Sequence, residues 1–241
     1  MAMHGELPFS ISLNLHFSHV FKIELSIKTY FYTFVNKDSR RVQSMMMMMQ
    51  DPSRTIVISS EINSMVAKEV IERIHEINEN DDHREETEVK FDRMNHPIKV
   101  IVNTPGGYVL DGFAIAGAIT TSVTPVITIC LGHAMSMGFL IFAAGHQRVV
   151  HPLSMLMYHE ISTGVWGKIS EIKTDIKVTE KMQEMYDKFI LERTKITEKQ
   201  LEDAKTSGKD WYLTPDDAIK MGVADHIVEF ESVIQQASQS K

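Results

Sequence analysis

Only one cysteine, Cys130, stands among 241 residues. That excludes an internal disulfide framework and any zinc site built on cysteine pairs, and it fits a reducing compartment. Basic charge is short as well: 25 Lys and Arg face 32 Asp and Glu, giving a formal net charge of -7 and a pI near 5.9. Such a chain lacks the broad positive field that duplex nucleic acid demands. Long apolar runs are missing too. No stretch of about 18 uncharged apolar residues occurs, so no membrane-spanning helix is expected. The most apolar run, Pro125 to Ala144, is interrupted by His133, Ser136 and two glycines, and reads as a buried strand followed by a buried helix. Met1 to Glu6 carries no Lys or Arg, so the start of the chain does not read as an export signal. There is no G-x-G-x-x-G and no P-loop, so the chain itself is not expected to hydrolyse ATP. His75-Glu76 and His159-Glu160 both lack the second histidine of H-E-x-x-H. His146, His151 and His159 have no ligand spacing on one element, so neither a metal nor a cofactor is expected.

What is present is a globular composition, with 43% hydrophobic and 24% charged residues. The length suits one large domain or two small ones with a sizeable core. We divide the chain into residues 1–50, 51–230 and a polar tail, 231–241. In the first segment Phe9, Ile11, Leu13, Leu15, Phe17, Phe21, Ile23, Leu25 and Ile27 all fall on odd positions, the period of a strand or hairpin. Five methionines, Met45 to Met49, follow a charged break. Three readings stay open for this segment: an extension packed on the domain, a removable pro-segment, or sequence upstream of the true start.

From Arg54 onward strands alternate with helices. Strands are expected at Thr55 to Ser59, Ile98 to Val102, Val126 to Cys130, Arg148 to Val150 and Ser154 to Met157. Helices are expected at Ser64 to Ile77, Val109 to Thr121, Ser136 to Ala144, Ile169 to Thr194, Thr197 to Lys205 and Thr214 to Met221. Thr197 and Thr214 fit as N-caps, and Pro215 suits a first helical turn. The charged stretch Glu79 to Arg93 reads as a solvated loop. The alternation predicts an α/β fold with a mostly parallel sheet and flanking helices.

Three segments carry chemistry. Gly132-His133-Ala134-Met135-Ser136-Met137-Gly138 follows an apolar strand and opens an apolar helix. A serine on that turn meets free N–H groups and the positive end of a helix, the logic of a nucleophile elbow without the G-x-S-x-G pattern. Asn103-Thr104-Pro105-Gly106-Gly107 ends a strand, and its paired glycines can expose amides to an oxyanion. His159 follows a strand end, where an imidazole can act as general base. Each also has a plain structural reading: a cap, a turn and a satisfied histidine.

Together these segments resemble the ClpP family of self-compartmentalising serine proteases, in a divergent or phage-type form. The resemblance runs from about Arg54 to Phe230. It includes the long helix, similar to the family's handle helix, and Lys209-Asp210-Trp211-Tyr212-Leu213-Thr214-Pro215, similar to its Asp-x-Phe-Leu segment. It implies a ClpP/crotonase-like fold with a protruding handle. It implies that Ser136 is the nucleophile, His159 the general base and Asp210 the group that orients the imidazole. The backbone N–H groups of Gly107 and Met137 would form the oxyanion hole. Asp203, Asp216 and Asp217 lie near Asp210, and Asp225 is read as structural.

The resemblance further implies a cytoplasmic homo-oligomer, a double ring of seven-membered rings, fed unfolded polypeptides by an ATP-dependent AAA+ unfoldase of the Clp type. No nucleic acid or membrane partner is implied. The sequence departs from the family's pattern in four places. Glu160 replaces the usual Gln or Asn, and Lys209 replaces an Arg that helps join the rings and binds bidentately where a lysine cannot. The charged stretch from Glu79 to Arg93 lengthens a normally short connection. Residues 1–50 do not match the axial loop. Two rival readings are an inactive subunit of such a ring and a crotonase-type acyl-CoA enzyme, which shares the fold but uses carboxylates in place of the serine.

Overall fold

The computed structural model describes residues 52–228, all within the second of two units, Met48–Lys241. The strand pattern read in residues 1–50 and the tail at 231–241 lie outside the described residues. A short 3-10 turn, Pro52–Arg54, leads into β1 (Thr55–Ile58) and then α1 (Ser64–Thr87). β2 (Ile98–Thr104), α2 (Val109–Thr121), β3 (Val126–Met135), α3 (Met137–Ala143), β4 (Gln147–Val150) and β5 (Met155–Tyr158) follow. The chain continues through α4 (Ile169–Arg193), α5 (Glu198–Ser207), β6 (Trp211–Leu213), α6 (Pro215–Lys220) and β7 (His226–Ile227).

The strands form one sheet in the order β1-β2-β3-β4-β7, all parallel. β5 pairs in parallel with the far end of β3, and β6 runs antiparallel to β5. The interior strand β2 is nearly continuously buried, as a parallel strand covered on both faces must be. Ile98, Val100 and Val102 of this strand, Val126 and Ile129 of β3 and every residue of α3 are buried in the core. A short helix apolar on all sides can only lie inside the core.

β3 runs to Met135, five residues beyond its expected end at Cys130. Its first half pairs with β4 (Ile127↔Gln147 to Cys130↔Val150) and its second half with β5 (His133↔Met155 to Met135↔Met157). Between Val102↔Cys130 and Thr104↔Ala134 the register against β2 slips. There the Asn103 side chain accepts the His133 N–H at 3.1 Å and bridges the gap in the ladder. A Cβ on Gly132 would stand 2.5 Å from that same Asn103 oxygen, so the bridge requires glycine. No apolar alternation marks Leu131 to Met135, which is why the extension escapes sequence reading.

The stretch from Glu79 is a correction. It is not a loop up to Arg93: α1 continues through it to Thr87. Several of the charges that suggested solvation are paired. Asp81 is fully buried and accepts two bonds from Arg54 (2.8 and 2.7 Å) and one from Thr124 (2.6 Å). Burial alone would raise its pKa, but the bonds to Arg54 and Thr124 outweigh that and hold the carboxyl below its ordinary value. Arg93 folds back onto Asp82 and Glu85, each at 2.6 Å, and Arg84 bonds Glu88 one turn on.

The threonine caps stand where the sequence puts them. Thr197 and Thr214 each form a capping box, with Gln200 and Asp217, and Pro215 opens α6. α4 is anchored only by its second half, through Gln183, Tyr186 and Ile190. Its first half carries exposed Ile169, Ile176 and Val178, the protruding handle expected. No helix among the described residues is long and apolar enough to cross a membrane.

Candidate active site

Strand register brings the site's residues to neighbouring strand ends. Met135 is the last residue of β3 paired to β5, opposite Met157, so Ser136 emerges beside Tyr158 and donates its N–H to Met157 O at 2.9 Å. In the antiparallel ladder Tyr158 faces Trp211, so the next step outward sets His159 against Asp210. Three residues remote in sequence thus leave adjacent strand ends on the same side of the sheet.

Ser136 is the one non-glycine residue with positive φ among the described residues, at φ 53 and ψ -122. Such a backbone is costly for an L-residue and marks a sharp turn between β3 and α3. Ser136 was expected to open the helix, but it is its cap: α3 begins at Met137. The turn lifts Oγ to 2.7 Å from His159 Nε2, a full hydrogen bond.

The third member stands slightly off. His159 Nδ1 lies 3.9 Å from Asp210 Oδ1, beyond hydrogen-bond reach. The two side chains are 26% and 47% exposed, so this end of the array opens to solvent. Asp210 accepts a bond from Tyr212 OH at 3.3 Å, and its charge raises the pKa of that phenol. Three other aspartates have partners elsewhere: Asp217 closes the α6 capping box, Asp203 pairs with Lys199 at 3.3 Å, and Asp225 pairs with Arg148 at 2.7 Å. Asp225 is therefore structural, as read from sequence.

The glycine turn sits directly on the elbow. Gly106 has φ 105, and a Cβ there would lie 2.6 Å from Ser136 Cβ and 3.1 Å from Met137 N. Gly107 has φ 151, and a Cβ there would meet Ile62 O at 2.2 Å. Both bonds flanking Gly107 go to Ile62: Ile62 N donates to Gly106 O (2.7 Å), and Tyr108 N donates to Ile62 O (2.9 Å). By strand alternation the Gly107 N–H lies on the opposite edge. Met137 N–H is in the first turn of α3, where no helical acceptor exists. Thr104, which sequence reading passed over, locks this loop. It is fully buried, accepts Gly106 N–H at 3.2 Å and donates to Ser60 O at 2.5 Å.

The two other histidines weighed for a metal serve the backbone. His146 Nδ1 accepts from Val126 N at 3.0 Å, and His151 Nδ1 from Leu153 N at 3.2 Å. Glu160 and Lys209 are exposed at the rim. The array is therefore a hydroxyl bonded to an imidazole beside a glycine turn and a helix start, the elements of acyl transfer.

Comparison with known proteins points the same way. A family model described as Clp protease matches residues 36–231. The chain is 31% identical over 178 residues to the ATP-dependent Clp protease proteolytic subunit 1 of Bacillus cereus, a match covering 73% of this chain and 85% of that one. It is 30% identical over 134 residues to the ATP-dependent Clp protease proteolytic subunit of Deinococcus radiodurans, covering 55% and 65%.

Proposed function

Since the chain belongs to the Clp protease family of serine endopeptidases, we propose that Ser136, His159 and Asp210 are its catalytic triad and that unfolded polypeptides are its substrates. The 2.7 Å bond between Ser136 Oγ and His159 Nε2, on a strained elbow, carries this reading. Ser136 attacks the scissile carbonyl carbon while His159 Nε2 takes its proton. The negative charge that forms on the carbonyl oxygen is met by the N–H groups of Gly107 and Met137, and one such donor is worth about 3 kcal/mol. Collapse expels the amine, which receives the proton from His159. Water then attacks the acyl-serine, and His159 again serves as base.

Asp210 stabilises the imidazolium that forms in both steps. Closing its gap to His159 takes a movement of about 1 Å, small for an exposed side chain on a connection between helix and strand. A carboxylate drawn to a newly charged imidazole supplies the driving force.

The assembly we propose is a cytoplasmic homo-oligomer, a double heptameric ring enclosing the sites and served by an AAA+ unfoldase. Exposed apolar residues on the protruding half of α4 support burial against another subunit. The lack of a P-loop assigns ATP hydrolysis to a partner. Short peptides enter unaided, whereas folded proteins need the unfoldase. The test compares wild type with Ser136→Ala on a fluorogenic short peptide and on a serine-reactive fluorophosphonate. Equal turnover by the two proteins removes the claim.

A further inference from the structure

One turn of α4 bonds the backbone of Ser136 and the residues on either side of His159. The Tyr186 hydroxyl donates to the carbonyl oxygen of Ser136 at 3.0 Å, while its ring is fully buried. Three residues earlier, Gln183 Oε1 accepts the N–H of Ile161 at 2.7 Å, and its Nε2 donates to Tyr158 OH at 3.1 Å and to Asp187 Oδ1 at 2.8 Å. Tyr158 donates in turn to the same Asp187 oxygen at 2.5 Å, and Lys205 holds the other at 2.9 Å. Tyr158 and Ile161 flank His159. Residues 183, 186 and 187 share one helix face by their spacing of three and four.

We propose that Tyr186 and Gln183 are positioning residues: together they set the distance and angle between Ser136 and His159. The reason lies in the elbow. A serine at φ 53 relaxes unless its backbone is held on both sides. Its N–H is held by Met157 O, and its carbonyl is shared by Phe139 N–H at 2.9 Å and the Tyr186 hydroxyl. The Phe139 bond is local to the turn. The Tyr186 bond alone ties the elbow's carbonyl to α4. Gln183 fixes the segment carrying His159 to the same helix, so the helix acts as the common reference for both reacting groups. Burial, and then the neighbouring Asp187, raise the Tyr158 pKa, which keeps that phenol a donor. Burial does the same for Tyr186.

The inference rests on the proposed triad, and the test separates the two. Wild type, Ser136→Ala, Tyr186→Phe and Gln183→Met are compared as assembled full chains, by peptide kinetics, fluorophosphonate labelling rate and thermal melting. Tyr186→Phe keeps the buried ring and deletes the bond. We expect kcat to fall at least tenfold with KM within twofold, and the labelling rate to fall by the same factor. Gln183→Met, similar in length but unable to bond, is expected to behave alike, and it decides the matter if Tyr186→Phe does not fold. A purely structural ring predicts full kcat for Tyr186→Phe, and that result in a protein with Ser136-dependent turnover overturns the positioning role alone. If wild type neither turns over peptide nor takes the label, the triad falls and the positioning role falls with it.

Discussion

A methyl group added at Gly107 tests the oxyanion assignment most directly: proline, which would delete the N–H, cannot adopt φ 151, but a side chain can displace the donor. Its Cβ would sit 2.2 Å from Ile62 O and 2.6 Å from Ile62 N. Ordinary carbon contacts need about 3.5 Å, so the loop must back away by about 1 Å. Both close atoms are main chain, in a bridge already fixed by two hydrogen bonds, so Ile62 yields little. The φ of 151 adds further strain for any L-side chain. An oxyanion donor works only at about 2.7–3.1 Å, so a displacement of that size removes it. Gly107→Ala should therefore lower kcat by about 100- to 1,000-fold, with a much smaller effect on KM. Gly117→Ala is the control. It lies in α2 with open space where the new Cβ goes, and should gain about 0.5–1 kcal/mol in stability at unchanged kcat. The assay is fluorogenic peptide hydrolysis by proteins of matched fold and assembly. A folded Gly107→Ala retaining kcat within threefold of wild type would refute the reasoning.

Four further outcomes follow from the same structure. Asp210→Asn should cost about 1,000-fold or more in kcat while Asp203→Asn stays within twofold, and equal losses in the two would break the triad assignment. Asp81→Ala strands the buried Arg54 charge and should destabilise by about 3–5 kcal/mol in urea titration, with Arg54→Met/Asp81→Leu recovering most of it. The Asp81 pKa is depressed, so its contribution is complete above the ordinary carboxylate value of 3.8 and is lost as pH falls through the lower folded value. The stability gap between wild type and Asp81→Asn should therefore close on acidification; a gap that widens contradicts this. Burial pushes the Cys130 thiol up to about 12, so iodoacetamide at pH 8 should leave the folded protein unmodified and alkylate it fully once denatured.

The sheet and its helices were legible because their signal is local. Val126 to Cys130 is a plain apolar strand, and the stripe through Tyr186 and Ile190 has helical spacing. The continuation of α1 was not legible, since what stabilises it is Arg54 meeting Asp81 from far along the chain. The outer half of β3 depends likewise on Asn103. The segments around Ser136 and His159 carry glycines, a helix start and a strand end, but each alone also reads as a cap, a turn or a satisfied histidine, and only their combination resembles a family. Asp210 had no local mark and came from family likeness alone; its physical cause is the β5–β6 register. A phenylalanine at position 186 would give the same helical periodicity as the tyrosine, so nothing local marks the hydroxyl. The use of its hydroxyl is visible only once α4 lies over the elbow.

Because ladder pairing does the aligning, the spans between these strands are free to change. Gly208 and Lys209, or the run from Ser162 to Trp166, can lengthen or shorten in engineered variants while the paired strand ends stay where they are. A one-residue slip of β6 along β5 is a different matter: it turns the Asp210 side chain to the reverse face, away from His159. Insertions for tags, sensors or altered docking therefore belong in those connections and never inside the short terminal pairings.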